Sequence, residues 1–246
     1  MKFDIVTIFP RMVAAGLTEG VVSRGIERRL LDIVVHDLRT YTSDRHRSVD
    51  DVPYGGGPGM VMKPEPLVRA VDDIRKRRGA PGAIVLLSPQ GRRFTQVEAL
   101  RLGRLGHVVL LCGRYEGMDE RVRALVAAEE LSVGDFVVSG GELPALMVVD
   151  AVSRLVPGVV GDELSVEQDS FSRGLLDYPH YTRPAEFGGL QVPDVLLSGH
   201  HAEVLRWRKR TALERTLARR PELLDVAVLD DEERTLLAEI RKEAKP

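Results

Sequence analysis

Three loop-like segments carry residue types that suit the binding of a small, flat ligand. They are LSPQG at 87–91, CGRYEG at 112–117 and SVGDFVVSGGELP at 132–144. The first two follow apolar runs of strand length, and in an open α/β sheet ligands bind beyond the carboxyl ends of the strands. Glycine at these ends lets backbone N–H and C=O groups approach a planar ring. The three segments therefore predict a pocket that suits an adenosine. No GxGxxG follows the first apolar run, which disfavours a dinucleotide cofactor of the Rossmann kind.

A fourth glycine-rich segment, PYGGGPGM at 53–60, follows neither of the familiar phosphate-binding patterns. It lacks the GxxxxGK[ST] spacing, and nearby prolines prevent a helix from opening directly on the loop. Two interpretations stay open. The segment is either a tight surface loop or, because Arg45, His46, Arg47 and Tyr54 adjoin it, a contact for the phosphates and bases of a nucleic acid.

Positive charge is concentrated near the C-terminus, although the formal net charge of the chain is −2. Between positions 206 and 220 there are seven basic residues and one acidic residue, Glu214. A run of this kind is either a solvated helix face or a contact for a nucleic-acid backbone, and the charge pattern alone does not separate these two interpretations.

Apolar segments of strand length alternate with segments of helical period, which predicts an α/β fold with a mostly parallel sheet covered by helices. The predicted strands cover 3–9, 33–38, 83–87, 108–112 and 136–138. The predicted helices of this part cover 66–77, 96–105, 120–128 and 144–155.

The chain after position 160 has a different pattern. Residues 161–174 are mostly polar and without a clear period, so 161–176 is predicted to be a mobile linker between domains. A small helical domain is expected over 177–246, with one helix over 200–219 and a last helix after Asp230 and Asp231. The α/β domain is assigned to 1–160.

Bulk composition excludes several classes of protein. No apolar run approaches the roughly 20 residues that span a bilayer, and the first residues lack the features of a signal peptide. A cytoplasmic protein without a membrane segment is therefore expected. The single cysteine, Cys112, reads as a small buried hydrophobe, and the six histidines lack the spacing of a structural metal site.

Five strings in this order, PYGGGPGM, LSPQG, CGRYEG, VGDFVVSGGELP and LLDYPHYTRP, closely resemble the bacterial tRNA (guanine-N1)-methyltransferases that modify guanosine 37. The resemblance covers essentially the whole chain. It implies a SPOUT methyltransferase, in which a parallel sheet with a deep trefoil knot holds S-adenosyl-L-methionine. It also implies a homodimer that binds tRNA, with the cofactor in the domain at 1–160 and a tRNA-binding domain at 177–246.

Carried over position by position, the resemblance implies a set of cofactor-binding residues. They are Leu87, Gly113, Tyr115, Glu116, Ser132, Val133, Gly134, Asp135, Phe136, Val137, Val138, Gly140, Gly141 and Pro144. For Glu116, a carboxylate at the start of a helix is the alternative interpretation. The residues expected to bind tRNA are Tyr54, Gly55, Gly56, Gly57, Pro58, Arg206, Arg208, Lys209 and Arg210. The family also suggests Mg²⁺ dependence, but no ligand set can be read from the sequence, and Glu116 or Asp169 as a ligand is conjecture.

Arg154 and Asp169 are the catalytic residues that the resemblance implies. Guanine N1 carries a proton, so its methylation needs a general base, which Asp169 can supply. Negative charge then accumulates on guanine O6, where the guanidinium of Arg154 can stabilise it. The alternatives are an aspartate in a polar loop and an arginine that caps a helix before Pro157. The family further implies that the two residues meet across the dimer interface.

Two other functions remain open from the sequence. One is a related knotted methyltransferase that acts on ribosomal RNA or on a ribose hydroxyl, and the PYGGGPGM and DYPHYTRP strings argue against it. The other is a non-catalytic RNA-binding factor that keeps the fold. A calorimetric titration with S-adenosyl-L-methionine separates the enzyme from the simple binder.

Overall fold

Residues 1–161 and 168–243 are described by a computed structural model of the chain. The chain divides into two compact units, Met1–Asp162 and Glu163–Pro246. Across the described residues, no helix is both long and apolar enough to cross a membrane.

The first unit contains a parallel sheet of five strands in the order β2-β1-β6-β5-β7. These strands are β1 (Lys2–Thr7), β2 (Asp32–Asp37), β5 (Ala83–Arg93), β6 (His107–Cys112) and β7 (Glu129–Ser132). Two further strands, β3 (Asp50–Asp51) and β4 (Val61–Met62), form a short antiparallel pair. The central strand β6, HVVLLC, is buried at all six positions, as expected for a parallel strand that helices cover on both faces. The predicted α/β class is therefore confirmed.

Helices pack on both faces of this sheet. They are α1 (Pro10–Ala15), α2 (Gly20–Glu27), α3 (Pro64–Arg78), α4 (Gln96–Arg104), α5 (Arg121–Val126) and α6 (Glu142–Ser153), with a 3-10 helix at Leu38–Tyr41. Successive side chains of β1 point to opposite faces. Phe3 and Ile5 join the apolar core under α1, α2, α4 and α6, whereas Val6 joins the core under α3 and α5.

The predicted strand at 136–138 is wrong. Phe136 and Val137 lie in an exposed loop, and the edge strand is instead the preceding segment Glu129–Ser132. The aromatic and β-branched residues of FVV favour a strand by composition, whereas the two glutamates at the start of β7 do not. Pairing with β5 makes EELS a strand, because the backbone groups of that segment complete the edge of the sheet.

The last strand is held by β5 in an unusual way. Leu131 pairs with Leu87 before a bulge in β5 and with Arg92 after it, so the segment 88–91 is left out of the register with β7. A Cβ added to Gly91 would lie 2.3 Å from the backbone N of Leu131. Only glycine allows the two backbones to come this close.

Four charged side chains reinforce the same contact. Arg92 and Arg101 each pair with both Glu98 and Glu129, at distances of 2.5–3.0 Å. This ion-pair quartet joins β5, α4 and β7. Partial burial raises the pKa of the Glu129 carboxyl, but its ion pairs with Arg101 and Arg92 outweigh this effect and hold the pKa below the ordinary value.

A buried carboxylate lies on the other side of the sheet. Asp4 is fully buried, and its two oxygens lie 2.6 Å from His36 Nε2, 2.7 Å from His107 Nε2 and 2.9 Å from Arg78 Nε. Burial raises the pKa of this carboxyl, but the hydrogen bonds from the two histidines and from Arg78 outweigh it. The pKa of Asp4 therefore lies below its ordinary value of 3.8.

The second unit is mainly helical. It contains α7 (Asp194–Leu197), α8 (His201–Arg219) and α9 (Asp231–Glu243), a 3-10 helix at Pro221–Asp225, and a hairpin of β8 (Glu186–Phe187) and β9 (Leu190–Gln191). A last helix after Asp230 and Asp231 agrees with the sequence prediction. Its start is a capping box, in which Asp230 and Glu233 each accept a hydrogen bond from the other's backbone N–H, at 2.8 and 2.9 Å.

Part of the predicted mobile linker, 162–167, lies outside the described residues. Residues after it bond within the second unit. The Leu175 side chain belongs to the core of this unit, its C=O accepts from Phe171 N–H at 2.8 Å, and Leu176 N–H donates to Thr216 Oγ1 at 3.0 Å. Mobility of 161–176 stays a prediction.

Candidate functional site: a strand-end pocket

A pocket of about 270 Å³ lies at the carboxyl ends of β5, β6 and β7. Because these strands are parallel and adjacent, the segments that follow them come together at one edge of the sheet. Parts of the three loop segments singled out in the sequence, 87–91, 112–117 and 132–144, all line this pocket.

The predicted cofactor residues lie around this pocket, with one exception. Those that line it are Leu87, Gly113, Tyr115, Glu116, Ser132, Val133, Gly134, Phe136, Val137, Val138, Gly140, Gly141 and Pro144. Asp135 does not belong to the lining. Its carboxylate pairs with Arg93 at 2.6 Å, and its side chain is largely exposed.

The pocket wall is built by close contact of main chains. Gly141 N–H donates to Gly113 C=O at 2.8 Å, and a Cβ on Gly141 would lie 2.7 Å from the Cα of Cys112. Tyr115 adopts a φ of 62°, which is rare for an aromatic residue. Such backbone strain is concentrated at functional sites, where the surrounding structure holds it in place.

A buried polar network supports the pocket from behind. Glu142 is fully buried at the start of α6. It accepts a hydrogen bond from Thr7 Oγ1 at 2.7 Å through one oxygen and from Arg114 Nε at 2.9 Å through the other. The guanidinium of Arg114 also lies 4.6 Å from the ring centroid of Phe9. Glu142 thus joins the end of β1, the loop after β6 and the start of α6.

Sequence reasoning missed this network. Thr7 and Glu142 are 135 positions apart, and their contact exists only because β1 and α6 are neighbours in the fold. The available signal was a single acid at the front of the apolar segment ELPALMVV. Buried charges are rare unless they are paired, so such an acid requires a partner.

The glycine-rich segment 53–60 adjoins the pocket through its last residues. Glu116 N–H donates to Met60 C=O at 3.0 Å, and Met62 N–H donates to Gly117 C=O at 2.9 Å. Gly59 has a φ of 83°, and a Cβ on it would overlap the Glu116 carboxylate. The tip of the loop is open, since no atoms lie near the Cβ positions of Gly55, Gly56 and Gly57, and Tyr54 is 99% exposed.

Of the two predicted catalytic residues, Arg154 lies in the first unit and Asp169 in the second. Arg154 caps the C-terminal end of α6, where its N–H donates to Asp150 C=O at 3.1 Å, and it does not line the pocket. Asp169 belongs to the second unit, is half-buried, and accepts a backbone hydrogen bond from Ser172 at 3.2 Å.

The predicted tRNA-binding residues of α8 separate into two groups. Three of them pair with acidic side chains: Lys209 with Asp230 at 2.9 Å and Glu232 at 2.6 Å, Arg210 with Glu214 at 2.8 Å and with Glu243, and Arg206 with Glu239 at 3.9 Å. Hydrogen bonds to Glu232 and Asp230 raise the pKa of Lys209. Arg208 instead lies over the ring of Tyr178, 4.9 Å from its centroid.

No metal centre is apparent in the described part of the chain. Within 1–161 and 168–243, the His, Cys, Asp and Glu side chains form no group of three or more that could hold an ion. Cys112 is completely buried next to the pocket wall, and this burial raises the pKa of its thiol well above the ordinary value.

Comparison with known proteins adds to this geometry. Residues 1–226 match the family model described as tRNA (Guanine-1)-methyltransferase TrmD. A tRNA (guanine-N(1)-)-methyltransferase from Pelotomaculum thermopropionicum is 54% identical over 241 residues, which cover 98% of this chain and 96% of that protein. A protein of the same name from Geobacter metallireducens is 54% identical over 245 residues, covering 99% of both chains. The one from Geobacter sulfurreducens is 52% identical over 246 residues, the full length of both. The chain with this strand-end pocket therefore belongs to the tRNA (guanine-1)-methyltransferase family.

Proposed function

We propose that the chain transfers a methyl group from S-adenosyl-L-methionine to N1 of guanosine 37 in tRNA, in the cytoplasm. The observation that carries the proposal is the pocket at the ends of β5, β6 and β7 in a chain of this family. When bound there, S-adenosyl-L-methionine supplies an electrophilic methyl group on a positively charged sulfur.

The pocket fits such a ligand in shape and in charge. Its glycine-lined wall exposes backbone donors and acceptors to a flat base, and Leu87 and Pro144 add apolar surface. The carboxylate of Glu116 is part of the lining and favours a cationic ligand over an anionic one.

We further propose that the first unit has the SPOUT trefoil knot. The support is the bulge at 88–91 in β5, where a Cβ on Gly91 would lie 2.3 Å from the backbone N of Leu131 and β7 pairs with β5 on both sides of the bulge. A close approach of two backbones of this kind is expected where one loop is threaded through another.

Asp169 acts as the general base in this proposal. It would take the N1 proton of guanine and leave the N1 lone pair free to accept the methyl group that a bound S-adenosyl-L-methionine would supply. Arg154 stabilises the negative charge that develops on O6, a role worth about 2.7–4 kcal/mol by comparison with one oxyanion-hole donor. The loop at 54–58 and the C-terminal unit hold the tRNA.

A homodimer is proposed from exposed apolar side chains on two neighbouring helices. Leu143 and Met147 lie one turn apart on α6 and are 51% and 50% exposed, and Phe9 and Met12 at α1 are also exposed. Apolar patches of this kind mark protein interfaces. In the dimer, Arg154 comes from one protomer and Asp169 from its partner.

Product analysis tests the activity. The chain is incubated with radiolabelled S-adenosyl-L-methionine and a tRNA transcript that has guanosines at positions 36 and 37, and the RNA is then digested to nucleosides. We expect labelled 1-methylguanosine, and none from a transcript with adenosine at position 37. Label on a ribose or on another base would reject the proposal. Adding EDTA and then Mg²⁺ to the same assay tests the metal dependence that the family suggests.

Complementation tests the catalytic pair and the dimer together. Arg154→Ala and Asp169→Asn are each expected to lower the methylation rate at least about 100-fold. If each site takes Arg154 from one protomer and Asp169 from the other, an equal mixture of the two variants that exchanges subunits should regain about a quarter of the wild-type rate. Half of its dimers then contain one chain of each variant, and each such dimer has one intact site. A mixture with no more activity than its components contradicts a shared site.

A further inference from the structure

The aromatic side chains of the second unit lie outside its core. That core consists of aliphatic residues, namely Leu175, Leu213, Leu236, Leu237 and Ile240, with Leu217, Leu224, Ala227 and Leu229 packed against it. Aromatic rings normally contribute the largest buried areas in a small core. Here they are placed at the surface instead, in a chain that is only 5% aromatic.

Four of the rings in this unit form two pairs, and an arginine lies against one of them. The rings of Tyr178 and His180 lie 4.7 Å apart between centroids, and those of Tyr181 and Trp207 lie 6.3 Å apart. The guanidinium of Arg208 lies 4.9 Å from the Tyr178 centroid, so the two pairs contact consecutive residues of α8, Trp207 and Arg208. We call these five residues the aromatic face.

The aromatic face is open to solvent. Tyr181 is 49% exposed, the His180 side chain is 66% exposed, and Tyr178, Trp207 and Arg208 are half-buried. Neither Tyr181 nor Trp207 has a side-chain hydrogen bond among the described residues. The rings of Tyr181 and Trp207 are therefore the ones available to stack on a ligand, whereas Tyr178 lies under Arg208 and His180 pairs with Asp177 at 2.7 Å.

The charge of α8 also favours this side of the helix. Lys209 and Arg210 are neutralised by acidic side chains of α8, of α9 and of the segment before α9. Arg208 has no acidic partner within 4.0 Å among the described residues, and its buried Nε has no hydrogen-bond partner there. A positive charge that no acidic side chain of the described residues pairs thus lies next to the Tyr178 ring.

We propose that the aromatic face binds unpaired nucleotides of the tRNA by base stacking, with Arg208 at their phosphates. The proposal rests on the proposed function and names the surface of the second unit that holds the substrate. It also replaces the expectation that Lys209 and Arg210 grip the RNA. Stacking on Tyr and Trp rings is tolerant of base identity, so the aromatic face should bind RNA loops of different sequence.

The chain itself provides the probe, because Trp207 is its only tryptophan. The full-length protein is titrated with a 17-nucleotide anticodon stem-loop RNA while Trp207 emission is recorded. We expect RNA-dependent quenching in the wild type. Tyr181→Ala should weaken binding about 5- to 100-fold, in line with the loss of one stacked base, whereas Tyr181→Phe keeps the ring and should bind within about twofold of the wild type.

Phe187→Ala is the matched control, since Phe187 is an exposed aromatic residue of the same unit that lies in the β8–β9 hairpin and outside the face. It should bind the RNA like the wild type. Arg208→Gln provides a second variant, and it should lower the slope of log Kd against log salt by about one. Lys209→Gln should change this slope less. Thermal melting confirms that each variant is folded.

The outcomes separate this proposal from the proposed function. If the wild type methylates guanosine 37 but the Tyr181→Ala and Arg208→Gln variants bind RNA as tightly as it does, the proposed role of the aromatic face is overturned and the proposed activity stands. A wild type that shows RNA-dependent quenching but forms no 1-methylguanosine supports the face and rejects the activity. Trp207 emission that does not respond to saturating RNA overturns the face.

Discussion

Replacing Glu142 by alanine removes the acceptor of two hydrogen bonds behind the pocket. Glu142 is fully buried and the Arg114 side chain is 16% exposed, so the guanidinium that loses its partner stays mostly out of water. Breaking one side of a buried ion pair costs about 3–5 kcal/mol, because the remaining charge is left uncompensated. We expect Glu142→Ala to lower the free energy of unfolding by about this amount.

The conservative change Glu142→Gln has a smaller expected effect. Its amide oxygen can still accept one hydrogen bond, so the loss is mainly that of a charge-assisted bond relative to a neutral one, about 1–2 kcal/mol. Both variants are measured by urea denaturation at pH 7. Because Arg114 belongs to the pocket lining, we also expect calorimetry to show at least about tenfold weaker binding of S-adenosyl-L-methionine by Glu142→Gln.

A double-mutant cycle tests the reasoning directly. If Arg114 and Glu142 are coupled as their 2.9 Å contact indicates, Arg114→Leu combined with Glu142→Leu costs at least about 1 kcal/mol less than the sum of the single changes. Additivity within about 0.5 kcal/mol would refute the coupling. Unchanged cofactor affinity in Glu142→Gln would refute its link to the pocket, even if the stability falls as expected.

Three other predictions follow from features of the first unit. Gly141→Ala places a Cβ 2.7 Å from the main chain at the end of β6, so it should lower the free energy of unfolding by about 1–3 kcal/mol and weaken cofactor binding in calorimetry. Gly103→Ala is the control, since its Cβ would meet nothing nearer than 3.7 Å, and it should leave the free energy of unfolding equal or higher by up to about 1 kcal/mol. The added Cβ of Gly91→Ala would lie 2.3 Å from the backbone of β7, so we expect the free energy of unfolding in urea to fall by about 3 kcal/mol or more. A near-native midpoint would contradict the close approach of Gly91 to β7. The pKa of Asp4 is lowered, so its carboxylate contributes stability above pH 3.8 that is lost as the pH falls through the folded-state pKa. Asp4→Asn should therefore be less stable than the wild type at pH 7. This difference in stability should shrink below about pH 4.

The pocket could be predicted from the sequence because its signals are local. Each of the segments at 87–91 and 112–117 follows a short apolar run, and the rule that ligands bind at the carboxyl ends of parallel strands then brings them together. The prediction needed the class of sheet and not its strand order. Most of the residues predicted to bind the cofactor therefore lie around one pocket.

Features that depend on distant partners could not be predicted. The segment EELS became a strand only through β5, since its own composition does not favour one. The basic run read as a uniform surface, yet the acids that neutralise Lys209 lie 21 and 23 positions further along the chain, at Asp230 and Glu232. Charge counted along a sequence does not show which charges remain unpaired after folding.

The ion-pair quartet of Arg92, Arg101, Glu98 and Glu129, which joins β5 and α4 to β7, contributes a stability that depends on temperature and on salt. The cost of removing charged groups from water falls as temperature rises, whereas the stabilisation from apolar burial levels off. The contribution of these ion pairs to the stability of the contact between β5 and β7 therefore grows on warming, relative to that of apolar burial. Its side chains are partly exposed, so concentrated salt weakens it. Cofactor binding should accordingly tolerate warming better at low ionic strength than at high ionic strength.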